Sequence, residues 1–304
     1  MPPLAHDGTF TTSDGVTIAY TLRAAPYADA PRIVLIHSLA LDRSVWDGVV
    51  DTIKNDAAIL TYDCRGHGRS ERRAGTFTVE LFARDVAELL DGVGWHDATL
   101  AGCSMGGCVA LAFAGLYPER ASRLGLIDTT AWYDADAAAN FRTRAAAARD
   151  AGMAGLAGFQ AARWFSDEFR ARCHERVQRA IDVFVANDFA CYAASCALLA
   201  DADLRPVLAS LRIPVAIVVG EDDAATPVGM ARHLHDAIAG STLTILPGAR
   251  HLTPIERPDR IASELLHLLR RTAVTTSTNR RSKAITKTRR RSTLTTKNTK
   301  EDKD

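Results

Sequence analysis

Absences narrow the reading of these 304 residues before any motif does. No apolar stretch approaches the roughly 18 residues of a membrane span. The start, MPPLAHDGTF, has neither the basic residues nor the apolar run of a secretory signal, so a cytoplasmic location is the expectation. Six cysteines, Cys64, Cys103, Cys108, Cys173, Cys191 and Cys196, form no C-x-x-C pair and are too sparse for a disulfide scaffold. They read as reduced, mostly buried thiols. H-E-x-x-H, the P-loop and the dinucleotide fingerprint are all missing, so neither a metal nor a cofactor is expected. There is no internal repeat.

What is present is ordinary for a globular chain with a large core: 47% hydrophobic and 24% charged residues. The net charge of +1 hides an asymmetry, because residues 272–304 hold ten Lys/Arg against three Asp/Glu. That basic, Thr- and Ser-rich tail lacks the apolar residues to bury itself and reads as a disordered appendage. Without interleaved aromatics it implies no specific nucleic-acid partner, and no membrane partner is expected either.

Upstream of the tail, short β-branched runs alternate with helical spacing, the pattern of a mostly parallel sheet flanked by helices. GTFTTS and GVTIAYTL read as an edge hairpin around Asp14-Gly15. RIVLIHS, AAILTYD, ATLAGCS, SRLGLID, PVAIVVG and STLTILP read as buried strands. Helices are expected over 44–54, 79–92, 106–117, 228–238 and 258–269. Between 131 and 204 the alternation stops: the segment is Ala- and Arg-rich and helical throughout, with no strand. The sequence thus divides into a core, 1–130 and 205–271, and an all-helical lid, 131–204, placed over the strand ends where open α/β sheets bind ligands.

Gly102-Cys103-Ser104-Met105-Gly106 matches G-x-S-x-G between a strand and a helix. A sharp strand-to-helix turn strains its central residue and leaves no room for side chains two positions to either side. The glycines flank Ser104; around Cys103 the same positions hold Ala101 and Met105. Ser104 is therefore the candidate nucleophile, with Cys103 turned into the core or the lid-facing wall. Without its chemical partners, the stretch would be only a tight turn with a capping serine.

A serine needs a base, and the base an orienting acid, in the chain order Ser, acid, His. His251 lies in a late loop, ARHLTPIERP, before the last helix. His37 and His67 belong to the loops HSLALD and RGHGRS, and the others sit near the terminus or on helix faces. GEDDAATP offers Asp223, which reaches further from the strand end, with Asp222 the near alternative and Asp128 a weaker one. Backbone N–H groups of Met105 and Leu39 would receive the developing oxyanion.

HSLALDRSVWD, YDCRGHGRS, GCSMGG, YPERASRLGLIDT, the lid pieces, GEDDAATP and ARHLTPIERP together resemble the 3-oxoadipate enol-lactonase branch of the α/β-hydrolase superfamily, over residues 10–270. The resemblance implies an α/β-hydrolase fold and a serine hydrolase that opens an enol lactone to 3-oxoadipate in aromatic degradation. Ser104, Asp223 and His251 would correspond to its triad, and Leu39 and Met105 to its oxyanion donors. The chain departs from the branch at Ala40, where glycine is usual, at Cys103, where leucine is common, and at LTPIE after His251. A carboxylate-bearing small-molecule substrate calls for a lid cation, Arg144 or Arg163, and apolar walls, Trp132 and Trp164; the arginines read equally as surface charges. The alternatives are a general carboxylesterase or perhydrolase on the same fold, and a non-catalytic binding protein.

Overall fold

The computed structural model describes residues 5–25 and 27–271, so the basic tail lies outside the described residues. Eight strands form one sheet: β1 (Ala5–Thr11), β2 (Thr17–Arg23), β3 (Arg32–Ile36), β4 (Ala58–Tyr62), β5 (Ala98–Cys103), β6 (Ala121–Ile127), β7 (Val215–Gly220) and β8 (Thr242–Leu246). Their order is β1-β2-β4-β3-β5-β6-β7-β8. β1 and β2 pair antiparallel, as does β2 with β4, and every other pairing is parallel.

Burial explains the composition of the strands. β4, β5 and β7 are buried along their whole length, which requires the uninterrupted apolar runs AILTY, ATLAGC and VAIVVG. β1 at the edge alternates between exposed and half-buried positions and carries the polar residues an unpaired edge needs. The hairpin is shifted from its expected place: β1 starts at Ala5 and stops at Thr11. Thr12 leaves the strand because its backbone and hydroxyl close the turn onto Val16 and Gly15.

Helices pack on both faces: α1 (Asp47–Ile53), α2 (Val79–Gly92) and α3 (Met105–Leu116) in the first half, α9 (Arg205–Leu208), α10 (Val228–Ala237), α11 (Thr253–Glu256) and α12 (Pro258–Arg270) in the second. The helix expected over 44–54 is divided. Residues 43–46 form a tight 3-10 turn capped by the Asp42 carboxylate, which accepts from Ser44 N–H at 2.9 Å, and α1 follows. Between β6 and β7 lie α4 (Ala135–Gly155, kinked at Gly152), α5 (Ala157–Trp164), α6 (Asp167–Arg172), α7 (His174–Val185) and α8 (Phe189–Asp201). Ser166 and Asp188 cap α6 and α8. The described residues of this segment form no strand; Trp132 and Asp203 make a single isolated β-bridge that closes its neck. Sheet and insertion pack as one compact unit. Among the described residues no single helix is long and apolar enough to cross a membrane.

β3 lies centrally, with β4 on one side and β5 on the other, so the chain moves outward in opposite directions from it. This switch point opens a crevice beyond the carboxyl ends of β3 and β5, and the helical insertion covers it.

Candidate active site

The strand β5 ends in the turn that carries Ser104, whose φ of 54° and ψ of −115° put a non-glycine residue in a strained conformation. The neighbours enforce it. A Cβ on Gly102 would meet the Gly106 carbonyl oxygen at 2.0 Å, and one on Gly106 would meet that of Ile36 at 2.2 Å. Ser104 N–H donates to Ile127 at 2.9 Å, and the Ser104 carbonyl accepts from the Thr129 hydroxyl at 2.7 Å. The side chain is thus held at the apex. Cys103 is fully buried, and burial pushes its thiol well above the ordinary range, so it stays protonated and out of reach.

His251 Nε2 lies 3.0 Å from Ser104 Oγ, and its Nδ1 lies 2.8 Å from Asp223 Oδ2. Asp223 also accepts from Ala225 N–H at 2.7 Å, Thr226 N–H at 3.0 Å and the Thr226 hydroxyl at 2.8 Å. Burial alone would raise this carboxyl, but the facing His251 ring and these donors outweigh it and hold it below the ordinary carboxylate range. An ionised Asp223 accepts only, so it selects the His251 tautomer with the proton on Nδ1. Nε2 is then free to accept from Ser104.

The two other candidate acids are placed elsewhere. Asp222 is exposed. Asp128, at φ 47° beyond β6, is fully buried and accepts from Gly220 N–H at 3.1 Å, Thr253 N–H at 2.9 Å and the Thr253 hydroxyl at 2.6 Å. It therefore braces the end of β7, which leads to Asp223, against the segment that follows His251.

Leu39 lies just beyond β3, and Met105 opens α3. Among the described residues neither backbone N–H meets a protein acceptor, so two unmatched donors stand by the nucleophile, as an oxyanion would require. Ala40 occupies the left-handed region at φ 58°, which costs a residue with a Cβ about 1 kcal/mol. Its carbonyl accepts from Asn187 Nδ2 at 2.7 Å, tying this loop to the insertion.

Ser104 and His251 open into a narrow cavity of about 30 Å³ whose walls include Leu39, Tyr133, Arg144, Arg163 and Trp164. A larger groove between α1 and α7, about 200 Å³, contains neither the serine nor the histidine. Trp164 is buried, packs edge-on against Phe184, and accepts from Leu252 N–H through its carbonyl. Arg144 lies 4.4 Å over the Phe141 ring, and Arg163 reaches the exposed Phe159. Among the described residues no carboxylate pairs with either arginine, whereas Arg142 and Arg149, facing outward on α4, are paired with Asp201 and Asp150. Burial, reinforced by Arg144, pushes Arg163 below the ordinary arginine range.

Trp132 is not part of this cavity, which corrects its expected role as a wall: it is 38% exposed and stacks beneath the Arg205 guanidinium at 4.2 Å. The neck bridge to Asp203 turns it outward. Tyr133, Phe141, Gln160, Tyr192 and Leu199 line the cavity without having been singled out in the sequence. Among the described residues no cluster of His, Cys, Asp or Glu could hold a metal ion.

The chain is 31% identical to 3-oxoadipate enol-lactonase 2 of Acinetobacter baylyi over 258 residues, covering 85% of this chain and 94% of that protein. The crystal structure of the enol-lactonase from Burkholderia xenovorans LB400 superposes with a TM-score of 0.82 at 32% identity, covering 86% of this chain and 99% of that one. A hydrolase from Pseudomonas aeruginosa has the same TM-score and identity, with 88% and 99% covered. Residues 31–258 match the alpha/beta hydrolase fold family, and with the sheet, the turn at Ser104 and these relatives, the chain belongs to that family.

Proposed function

We propose that this hydrolase opens a carboxylate-bearing lactone or ester through an acyl-enzyme on Ser104, with 3-oxoadipate enol lactone as its substrate. The observation that carries the reading is the unbroken chain Ser104 Oγ, His251 Nε2, His251 Nδ1, Asp223 Oδ2 at the base of a closed cavity. Ser104 Oγ bonds to the lactone carbonyl carbon as its proton passes to His251 Nε2, and Asp223 holds the resulting imidazolium. The oxyanion takes the Leu39 and Met105 N–H groups, each worth about 10²–10³ in rate. Collapse breaks the bond from the carbonyl carbon to the ring oxygen, and His251 returns its proton to that departing enol oxygen. Water, deprotonated by His251, then releases the acid and restores Ser104.

Two arginines without carboxylate partners favour an anionic substrate over a neutral one. The enol-lactonase relatives supply the lactone. The helices α4–α8 act as the lid that encloses it. The test is hydrolysis of 3-oxoadipate enol lactone and of an aryl acetate by the wild type and by Ser104→Ala. Activity on both substrates that disappears in the variant is expected. Aryl ester turnover without lactone turnover would replace the lactonase with a general carboxylesterase, and equal rates in both proteins would remove the serine mechanism.

A further inference from the structure

The inner wall of the cavity holds two polar groups that the mechanism does not use. Gln160 on α5 is 2% exposed and Tyr192 on α8 is 1% exposed, and both line the cavity that contains Ser104. Neither Gln160 Oε1 nor the Tyr192 hydroxyl makes a hydrogen bond of good geometry, although the Gln160 amide and the Cys196 thiol lie close to that hydroxyl. A buried polar atom left unmatched costs about 1–3 kcal/mol, and two such atoms on one wall make an unusual concentration. The same wall carries Arg144, unpaired with any carboxylate among the described residues. Burial pushes the Tyr192 phenol well above its ordinary range, so it remains a neutral donor.

A cation, a phenol O–H and a carboxamide around one buried space match one chemical group well. A carboxylate accepts from Tyr192 on one oxygen and from the amide on the other, while Arg144 supplies the charge. A half-turn of the Gln160 amide about its last bond brings the Nε2 donors where Oε1 stands in the empty cavity. Arg163 is less suited, because Arg144 and not Arg163 is the charge that acts on the Tyr192 phenol, and Arg163 extends over the exposed Phe159 ring.

We propose that Gln160 and Tyr192, together with Arg144, form the specificity site that anchors the substrate carboxylate. This rests on the hydrolase reading above and goes beyond it by choosing between the two arginines and adding two neutral donors. The site favours substrates with an acid group remote from the scissile carbonyl over neutral esters, since an ester lacking the anion leaves all three groups unmatched.

The experiment uses Ser104→Ala protein, which keeps the cavity but lacks the nucleophile, and measures binding by titration calorimetry. The probes are monomethyl adipate, dimethyl adipate and methyl 6-hydroxyhexanoate. Monomethyl adipate is expected to bind at least about tenfold tighter than either neutral ester. Adding Tyr192→Phe, which removes one oxygen atom and keeps the ring, or Gln160→Leu is expected to erase most of that ratio. A ratio unchanged in both variants would overturn the site, as would tighter binding of the hydroxy ester than of the acid. In the protein with Ser104 intact, the same substitutions are expected to act on KM for monomethyl adipate rather than on kcat. If that protein hydrolyses no ester, the hydrolase reading fails while the binding measurement still decides the anchoring site.

Discussion

At the base of the cavity the three triad candidates are all paired: Ser104 faces His251, His251 faces Asp223, and Asp223 takes three further donors from Ala225 and Thr226. On the wall supplied by α4, α5 and α8 the opposite holds, with Gln160 and Tyr192 unmatched and Arg144 lacking a carboxylate. The two regions differ because their tasks differ. A reaction centre gains by being assembled before the substrate arrives, since its groups need not reorganise during the chemistry. A recognition wall gains by leaving its polar groups for the substrate to complete, because an incomplete match then carries the full cost of burial. The base is fixed to the sheet, and the wall to helices joined to it by a few bonds such as Leu252 N–H to the Trp164 carbonyl and Asn187 to Ala40.

The comparison breaks most readily at Ser104. Ser104→Ala is expected to lower kcat by about 10⁵-fold or more, and a loss below a hundredfold in ester hydrolysis would mean that the preassembled base is not the reaction centre. Asp223→Asn comes next, at about 10⁴-fold, because an amide at this position can donate and so stabilises the wrong His251 tautomer. A variant with kcat within tenfold of wild type would leave Asp223 a merely structural acid. Asp128→Asn sharpens the contrast within the base itself. It replaces an acceptor facing Thr253 and Gly220, so a drop of about tenfold in kcat with KM little changed is expected. A change in KM alone would place Asp128 with the recognition wall.

Acid should attack the base before the wall. His67 is held down to about 3 from 6.5, first by burial and then by the neighbouring His37, and burial lowers His37 as well. His37 Nε2 accepts from Cys64 N–H at 2.9 Å, which requires that nitrogen to be unprotonated. Below pH 6.5 the unfolded chain takes up protons at these rings and the folded chain does not. Stability therefore falls as the pH drops from 6.5 towards 3, by up to about 1.4 kcal/mol per pH unit for His67, and His37 acts in the same direction. Denaturant titrations at pH 7.5 and 5 check this, and equal midpoints would contradict it. The smallest effect is expected at Trp132→Ala. Its ring lies outside the cavity beneath Arg205, so kcat/KM should stay within about twofold, and a larger loss would return it to the substrate wall.

The base was legible in the sequence and the wall was not, for a physical reason. The turn at Ser104 is local: five residues and two glycines specify it, because a Cβ at either glycine collides with backbone. Asp223 and His251 are legible from chain order and loop position, since each follows a strand that announces itself by composition, β7 buried throughout and β8 mostly half-buried. Asp128, the weaker alternative acid, forms a brace that joins residues 125 positions apart, which local sequence does not reveal. The insertion has no such anchors. Its Ala-rich helices show which faces are apolar but not which residues meet after five helices fold over the sheet, so Arg144, Arg163 and Trp164 could be named while Gln160 and Tyr192 were missed. Trp132 was assigned to the cavity because its neighbours in sequence lead there, yet the neck bridge to Asp203 turns it away.

The burial of Cys103 beside the strained serine gives the protein a simple chemical signature. Cys64, Cys103, Cys108, Cys191 and Cys196 are all buried, and Cys173 alone is partly open to solvent. A maleimide or iodoacetamide applied to the native protein should therefore label Cys173 and spare the residue next to the nucleophile. An organophosphorus reagent should label Ser104 and nothing else. The neighbour with the more reactive side chain in free solution would go unmarked, so differential labelling reads out directly how the turn presents one side chain and hides the other.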